Sequence, residues 1–225
     1  SPEPKFFLDD GLISKGLGLY ENTYFNNIDV KALYQGEKST SYIENLIALK
    51  QIKEFYPDAR ILIILRNPVL RAWSNYRFSV QNGLEGLSFV EALDAEAERL
   101  NGSDVTTSVN PYAYRKRGYY MEYINQCRGV FKDENIRIMI FEELVGKLGE
   151  IRKLYMWLHI NDNFVPSELK VPCNSSFELG EIPSEASQGL FSSYGETIEK
   201  LEKYLGRRIH AWHEYFDMNK NDIGL

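Results

Sequence analysis

The chain has 225 residues, 44% of them hydrophobic and 26% charged, which suits a globular protein with one sizeable core. Its net charge of −6 argues against a general nucleic-acid or polyanion binder, and no apolar run is long enough to span a bilayer. There is no signal-peptide pattern. The two cysteines, Cys127 and Cys173, make no disulfide framework and lack metal-ligand spacing, so both read as free core thiols. His210 and His213 lie three apart, a surface pair rather than a metal site, and no metal is expected.

In chain order, the first segment is PEPKFFLD, Pro2–Asp9. Read as extended chain, it puts Glu3 and Lys5 on one side, with Pro4 favouring the extended form and Phe6 and Phe7 as anchors. A glutamate beside a cation suits a general base; the bland alternative is a frayed terminus. Ala32–Gly36 reads as a short strand. In GEKSTSY, Gly36–Tyr42, Glu37 and Lys38 are neighbours whose side chains face opposite ways on extended chain. One points into a cleft while the other pairs nearby, or the two form only a strand-end charge pair.

Ser41–Tyr56 has the apolar spacing of a helix. The run ILIIL within Ala59–Arg66 predicts a strand buried on both faces, as in a parallel sheet. Pro68 then opens a helix over Val69–Val80 that stops at Asn82 and Gly83. Ser88–Leu100 is a helix with a capping box between Ser88 and Glu91. Tyr112–Phe131 reads as one long helix, Asn135–Phe141 as a second buried strand, and Glu142–Leu158 and Tyr194–Leu205 as further helices. This alternation predicts a single α/β domain over 1–225, with a mainly parallel central sheet flanked by helices.

Nucleotides bind such sheets at the carboxyl ends of their strands, so the residues after Leu65 and after Gly36 are the places for chemistry. In LRNPVLRAWSNY, Leu65–Tyr76, Arg66 directly follows a strand and offers a fork of donors that suits a phosphate. Ser74, two turns into the following helix, can share that pocket. Alternatively, Arg66 caps the sheet edge, Ser74 is a tolerated small residue and Arg71 pairs with a surface carboxylate. In RKRGYY, Arg115–Tyr120, three cations precede a glycine, either a phosphate site or a solvated helix face.

Taken together, these segments resemble the sulfotransferase superfamily, in particular the branch of heparan sulfate N- and O-sulfotransferases and their bacterial relatives. PEPKFFLDD, SKGLGLYENTYF, GEKSTSY, ILRNPVLRAWSNY, SFVEALDAE, RGYYMEYI and IRIMIFEELVG follow the family's motifs in order over almost the whole chain. The resemblance implies a P-loop NTPase-like sulfotransferase fold and the co-substrate PAPS, released as PAP. It makes Glu3 the catalytic base and places Lys38 beside the acceptor or the transferring group. Arg66 and Ser74 grip the 3′-phosphate, and Arg117 and Gly118 lie close to the nucleotide. The acceptor is a hydroxyl or amine of a small molecule or glycan, a carbohydrate first. A catalytically degenerate PAP-binding module is the alternative, and a kinase-type phosphoryl-transfer enzyme ranks behind both.

Two departures accompany the resemblance. Relatives open with a strand and a glycine-rich loop for the 5′-phosphosulfate; neither is present in these 225 residues, so an upstream segment is expected. The stretch Ser175–Ala186 is acidic where heparan-type relatives carry a basic loop. A bacterial cytoplasm is preferred to a Golgi lumen, no nucleic-acid partner or membrane segment is expected, and no motif specifies an oligomeric state.

Overall fold

The structure is a computed structural model that describes residues 3–26, 32–102, 110–167, 169 and 180–221. Cys173 and the first part of the acidic stretch, 175–179, lie outside the described residues. The chain divides into two compact units, Ser1–Leu62 with Glu122–Arg137, and Ile63–Met121 with Ile138–Leu225.

Two parallel strands, β1 (Ile61–Leu65) and β2 (Ile136–Ile140), pair with each other. The α/β class expected from the alternating pattern is therefore present, with helices supplying most of the structure. Burial on β1 differs from expectation: Ile63 and Leu65 are buried, whereas Leu62 is 40% and Ile64 50% exposed. The alternation shows one covered face rather than two, because side chains of successive strand residues point to opposite sides. The expected strand over 32–36 does not form. Those residues are exposed and unladdered, Leu33 being 77% exposed, so nothing repays ordering them as a strand.

The first unit opens with a 3-10 turn over Phe6–Leu8, then α1 (Asp10–Ile13) and α2 (Leu17–Tyr24). The expected extended start is overturned at Lys5, whose φ of 50° is left-handed and reverses the chain. The expected helix over 41–56 resolves into a 3-10 turn, Tyr42–Glu44, and α3 (Leu46–Phe55). Asn45 makes the break: its side chain accepts from the amides of Ile47 and Ala48 and caps α3. Phe6, Phe7 and Tyr20 form the centre of this unit's core, with ring centroids 4.9–5.3 Å apart.

In the second unit, α4 (Pro68–Gln81) begins as expected with proline in its first turn. Asn67 is fully buried and caps it through the amides of Val69 and Leu70. The helix stops at Asn82, followed by Gly83 at φ 68°. The capping box of Ser88 and Glu91 is present and starts α5 (Phe89–Asp94), which α6 (Glu96–Gly102) follows.

The expected long helix over 112–131 shrinks to a 3-10 turn, Lys116–Gly118, and α7 (Tyr120–Arg128). Backbone groups that a helix would use internally are taken elsewhere. Glu96 accepts from the amides of Arg115 (2.6 Å) and Lys116 (2.8 Å), and the Arg115 carbonyl accepts from the Tyr194 hydroxyl (2.9 Å). On α7, Cys127 is the buried free thiol expected, and burial pushes its pKa up to about 12.

After β2, Gly146 (φ 71°) breaks the expected helix over 142–158 into α8 (Phe141–Leu144) and α9 (Leu148–Leu158). The helix expected over 194–205 begins ten residues earlier, as α10 (Ser184–Leu205), because Ala186 and Leu190 continue its buried face. A final helix, α11 (His210–Asn221), was not anticipated. It is held by buried Trp212 and Phe216, and the His213 ring lies 2.9 Å from Glu202 instead of pairing with His210. No helix among the described residues is long and apolar enough to cross a membrane.

The second unit is tied by a buried carboxylate. Glu85 has no exposed side-chain surface and accepts from Arg99 (2.6 and 3.3 Å), the Tyr114 hydroxyl (2.9 Å) and two backbone amides. Burial opposes its ionisation, but these donors outweigh burial and hold its pKa below the ordinary value. A depressed carboxylate stabilises the fold above its unfolded pKa, and that contribution is lost as pH falls through the folded value. We predict that Arg99→Ala destabilises the protein by about 3–5 kcal/mol, since it strands a buried charge. Chemical denaturation at neutral pH checks this, and the variant should lose less stability than wild type on acidification.

Candidate active site

Two clusters of functional groups form, one in each unit. In the first unit the carboxylate of Glu3 is clasped from the segment that follows Gly36. The Lys38 ammonium lies 3.2 Å from Oε1, and Oε2 accepts from the Thr40 amide (3.2 Å) and the Thr40 hydroxyl (2.9 Å). Burial disfavours the charge, but the Thr40 donors and Lys38 together bring the Glu3 pKa below the ordinary carboxylate range. Glu3 is thus a carboxylate at neutral pH. Its cation is Lys38 rather than Lys5, because the left-handed turn at Lys5 removes the alternation that would have put them on one side. The Lys38 side chain is 77% exposed, so it can exchange this partner for another anion.

Glu37 takes the opposite course, as expected for neighbours on extended chain. Its carboxyl is hydrogen-bonded by the hydroxyls of Tyr20 and Tyr42. Those rings pack against Phe7, at 5.3 and 5.7 Å between centroids. The backbone of the base segment is fixed as well: the Lys5 amide donates to Ser39 Oγ (3.0 Å) and the Phe7 amide to the Tyr42 hydroxyl (3.3 Å). A left-handed lysine costs roughly 1 kcal/mol or more, a strain these two bonds help to hold.

In the second unit, Arg66 is the first residue past β1. Its carbonyl accepts from the Tyr120 hydroxyl (2.7 Å), its guanidinium lies 5.6 Å from the Phe141 ring centre, and its Nε is buried without a partner among the described residues. Burial pushes Tyr120 up to about 12, against an opposing pull from the positive charges of Arg71, Arg117 and Arg66. The positive charges of three arginines thus bear on one hydroxyl. Arg71 donates through Nη2 to the Tyr114 carbonyl, with Nε buried and without a partner among the described residues, so the alternative of a surface ion pair is not what forms.

Arg117 donates to Asn75 Oδ1 (3.2 Å), and Asn75 in turn donates to the Pro111 carbonyl (3.0 Å). Asn75 thereby fastens Arg117 to the helix that carries Ser74, which sits half-buried beside it on α4. Gly118 has a structural reason of its own: a Cβ there would overlap the Tyr194 ring. Below the cluster, Glu142 accepts from the Asn67 amide (2.8 Å) and the Trp212 indole (2.9 Å), joining the start of α4 to α11.

The structure thus pairs Glu3 with Lys38, where the motif reading places Lys5, and in the other unit places Arg66 past β1 and Arg117 on Asn75. It adds Thr40, Asn75, Arg71, Tyr120 and Glu142, which sequence reading passed over as site residues. Asn67, next to the helix-opening proline, and Glu142, just past β2, stood at strand ends where such roles concentrate. Thr40 and Tyr120 lie inside GEKSTSY and RKRGYY, but their residue types alone did not single them out. Among the described residues, no group of three histidines, cysteines or carboxylates is placed to hold a metal ion.

Comparison with known proteins agrees with these motifs. The chain is 24% identical over 234 aligned positions to human heparan sulfate glucosamine 3-O-sulfotransferase 6, covering 99% of this chain and 64% of that protein. The fold is similar to the crystal structure of a sulfotransferase from Alicyclobacillus acidocaldarius, with a TM-score of 0.72 and 27% identity over 95% of this chain and 86% of that one. Residues 17–163 match the sequence profile of the sulfotransferase family, and the chain belongs to that family.

Proposed function

We propose that the protein transfers a sulfuryl group from PAPS to a hydroxyl or amine of a carbohydrate acceptor. The observation that carries this reading is the arginine cluster at the end of β1. The Nε of Arg66, buried without a partner among the described residues, and the positive charges of Arg71 and Arg117 that bear with it on the Tyr120 hydroxyl favour a cationic site that a phosphate would complete. A 3′-phosphate is the group that such a site recognises on PAPS. Arg66 and Ser74 hold it, and Arg117, braced by Asn75, lies with Gly118 against the nucleotide. Bound PAPS supplies an activated sulfuryl group on a phosphosulfate anhydride.

The residues of this chain supply the rest. Glu3 is held ionised by Thr40 and Lys38, so it is ready to take the proton from the acceptor O–H or N–H. Lys38, exposed and cationic, offsets negative charge on the transferring group once Glu3 becomes neutral. The acceptor class rests on the named acceptor of the human relative, a glucosamine of heparan sulfate. The chain spans 64% of that relative's length.

Three outcomes test the reading. PAP should raise the melting temperature where ADP and ATP–magnesium do not, and Arg66→Ala should abolish the rise; a ligand at a hundred times its Kd stabilises by about 2.7 kcal/mol. PAP binding with no turnover on a panel of glycans would favour the degenerate binding module instead. Glu3→Gln should lower kcat by roughly 10²–10⁴-fold while leaving PAP stabilisation intact, measured by PAP release in the presence of a working acceptor. Gly118→Ala should weaken PAP binding, because the Tyr194 ring must shift away from the segment that carries Arg117; calorimetric titration with PAP reads this.

A further inference from the structure

Every group that clasps Glu3 comes from residues 38–40, yet residues 34–39 lie in neither helix nor strand. Among the described residues, no ladder of backbone hydrogen bonds sets the direction in which Lys38 and Thr40 point. Exposure along the segment alternates: Glu37 and Ser39 are half-buried, Lys38 and Thr40 exposed. This is the two-residue period of extended chain, so whatever holds the inward pair also aims the outward pair. Inward, Ser39 Oγ accepts from the Lys5 amide and hydrogen bonds with Tyr42, while Glu37 is bonded by Tyr20 and Tyr42. Both tyrosines are fixed in the aromatic core.

A carboxyl is a costly way to fill space among rings, and Glu37 Oε2 is buried with no partner among the described residues. Resting on the reading of Glu3 as the base, we propose that Glu37 is a positioning residue for it: anchored by Tyr20 and Tyr42, it sets the register in which Lys38 and Thr40 meet Glu3. The groups facing Glu37 are Glu3, Tyr20, Tyr42 and Tyr56. Burial pushes its pKa above the ordinary range, the tyrosine bonds pull partly back, and the charge of Glu3 pushes up again. Two carboxyls of one segment pair are thereby driven apart, Glu3 toward the ion and Glu37 toward the neutral acid.

The test is the titration of the Glu3 carboxyl carbon by NMR in wild type, Glu37→Gln, Glu37→Ala and Tyr20→Phe. Glu37→Ala and Tyr20→Phe should move the Glu3 midpoint up toward the ordinary carboxylate value, as the clasp loosens. Glu37→Gln keeps an anchor of the same shape and should stay near wild type. Stabilisation by PAP, which reports on the arginine cluster in the other unit, should persist in every variant and serves as the control for folding. With an acceptor that wild type turns over, Glu37→Ala should lower kcat about tenfold or more at unchanged KM for PAPS, and Glu37→Gln should restore most of it. An unchanged Glu3 midpoint in both Glu37→Ala and Tyr20→Phe overturns the positioning role. A wild-type protein that PAP does not stabilise overturns the nucleotide reading, and the Glu3 titration still decides the role of Glu37.

Discussion

Two oxygens of Glu142 hold together the second unit at the point where its chemistry is concentrated. One accepts from the amide of Asn67, 75 residues away along the chain, and the other from the indole of Trp212. The first bond fixes the chain as it leaves β1, with Arg66 on one side of Asn67 and the capped start of α4 on the other. The second draws α11 against the same place. Without this carboxylate a buried backbone amide and a fully buried indole would both lack an acceptor, a cost comparable to a large fraction of a domain's net stability. The position of Arg66 follows from it, as does the direction of α4, and through Asn75 on α4 the position of Arg117.

The first unit solves a different problem. Its candidate base sits near a chain segment with no regular structure, where precision has to come from side chains. Phe6, Phe7 and Tyr20 give that segment a rigid floor, and Tyr42 serves both sides by accepting from the Phe7 amide and bonding Glu37. Aromatic rings suit this work because they bury large areas with few rotatable bonds, while tyrosine hydroxyls bring hydrogen bonds into an otherwise apolar place. The result is a carboxylate, Glu3, whose donors are the amide and hydroxyl of Thr40 on one oxygen and an exposed lysine on the other.

Much of the fold was legible because the signals were local. The ILIIL run marked β1, Pro68 and Asn82 bounded α4, and Ser88 with Glu91 announced α5. Sequence reading failed where distant groups intervened. The helix expected over 112–131 lost its first turns to Glu96 and Tyr194, residues that no periodicity connects to it. The strand expected over 32–36 lacked a neighbour to pair with, and pairing is a property of the fold rather than of the segment. For the site, its place just past β1 pointed to Arg66, whereas Lys38 was singled out after a strand that does not form. The contribution of Thr40 depends on a left-handed turn at Lys5, a conformation that no side-chain pattern announces. For Arg71, spacing alone leaves a surface ion pair open, because it does not reveal that the Tyr114 carbonyl turns it inward.

The contact between Gly118 and Tyr194 carries a consequence for how this protein can vary. The ring occupies the volume in which any other side chain at 118 would begin, and its hydroxyl is committed to the Arg115 carbonyl three residues earlier. Neither position can change freely while the other stays. A larger residue at 118 demands a smaller one at 194, and a smaller one at 194 leaves the Arg115 carbonyl in need of a new donor. Residues 115, 118 and 194 therefore form a unit of inheritance, and a segment transplanted from a relative into this chain would have to bring its own partner on α10 with it.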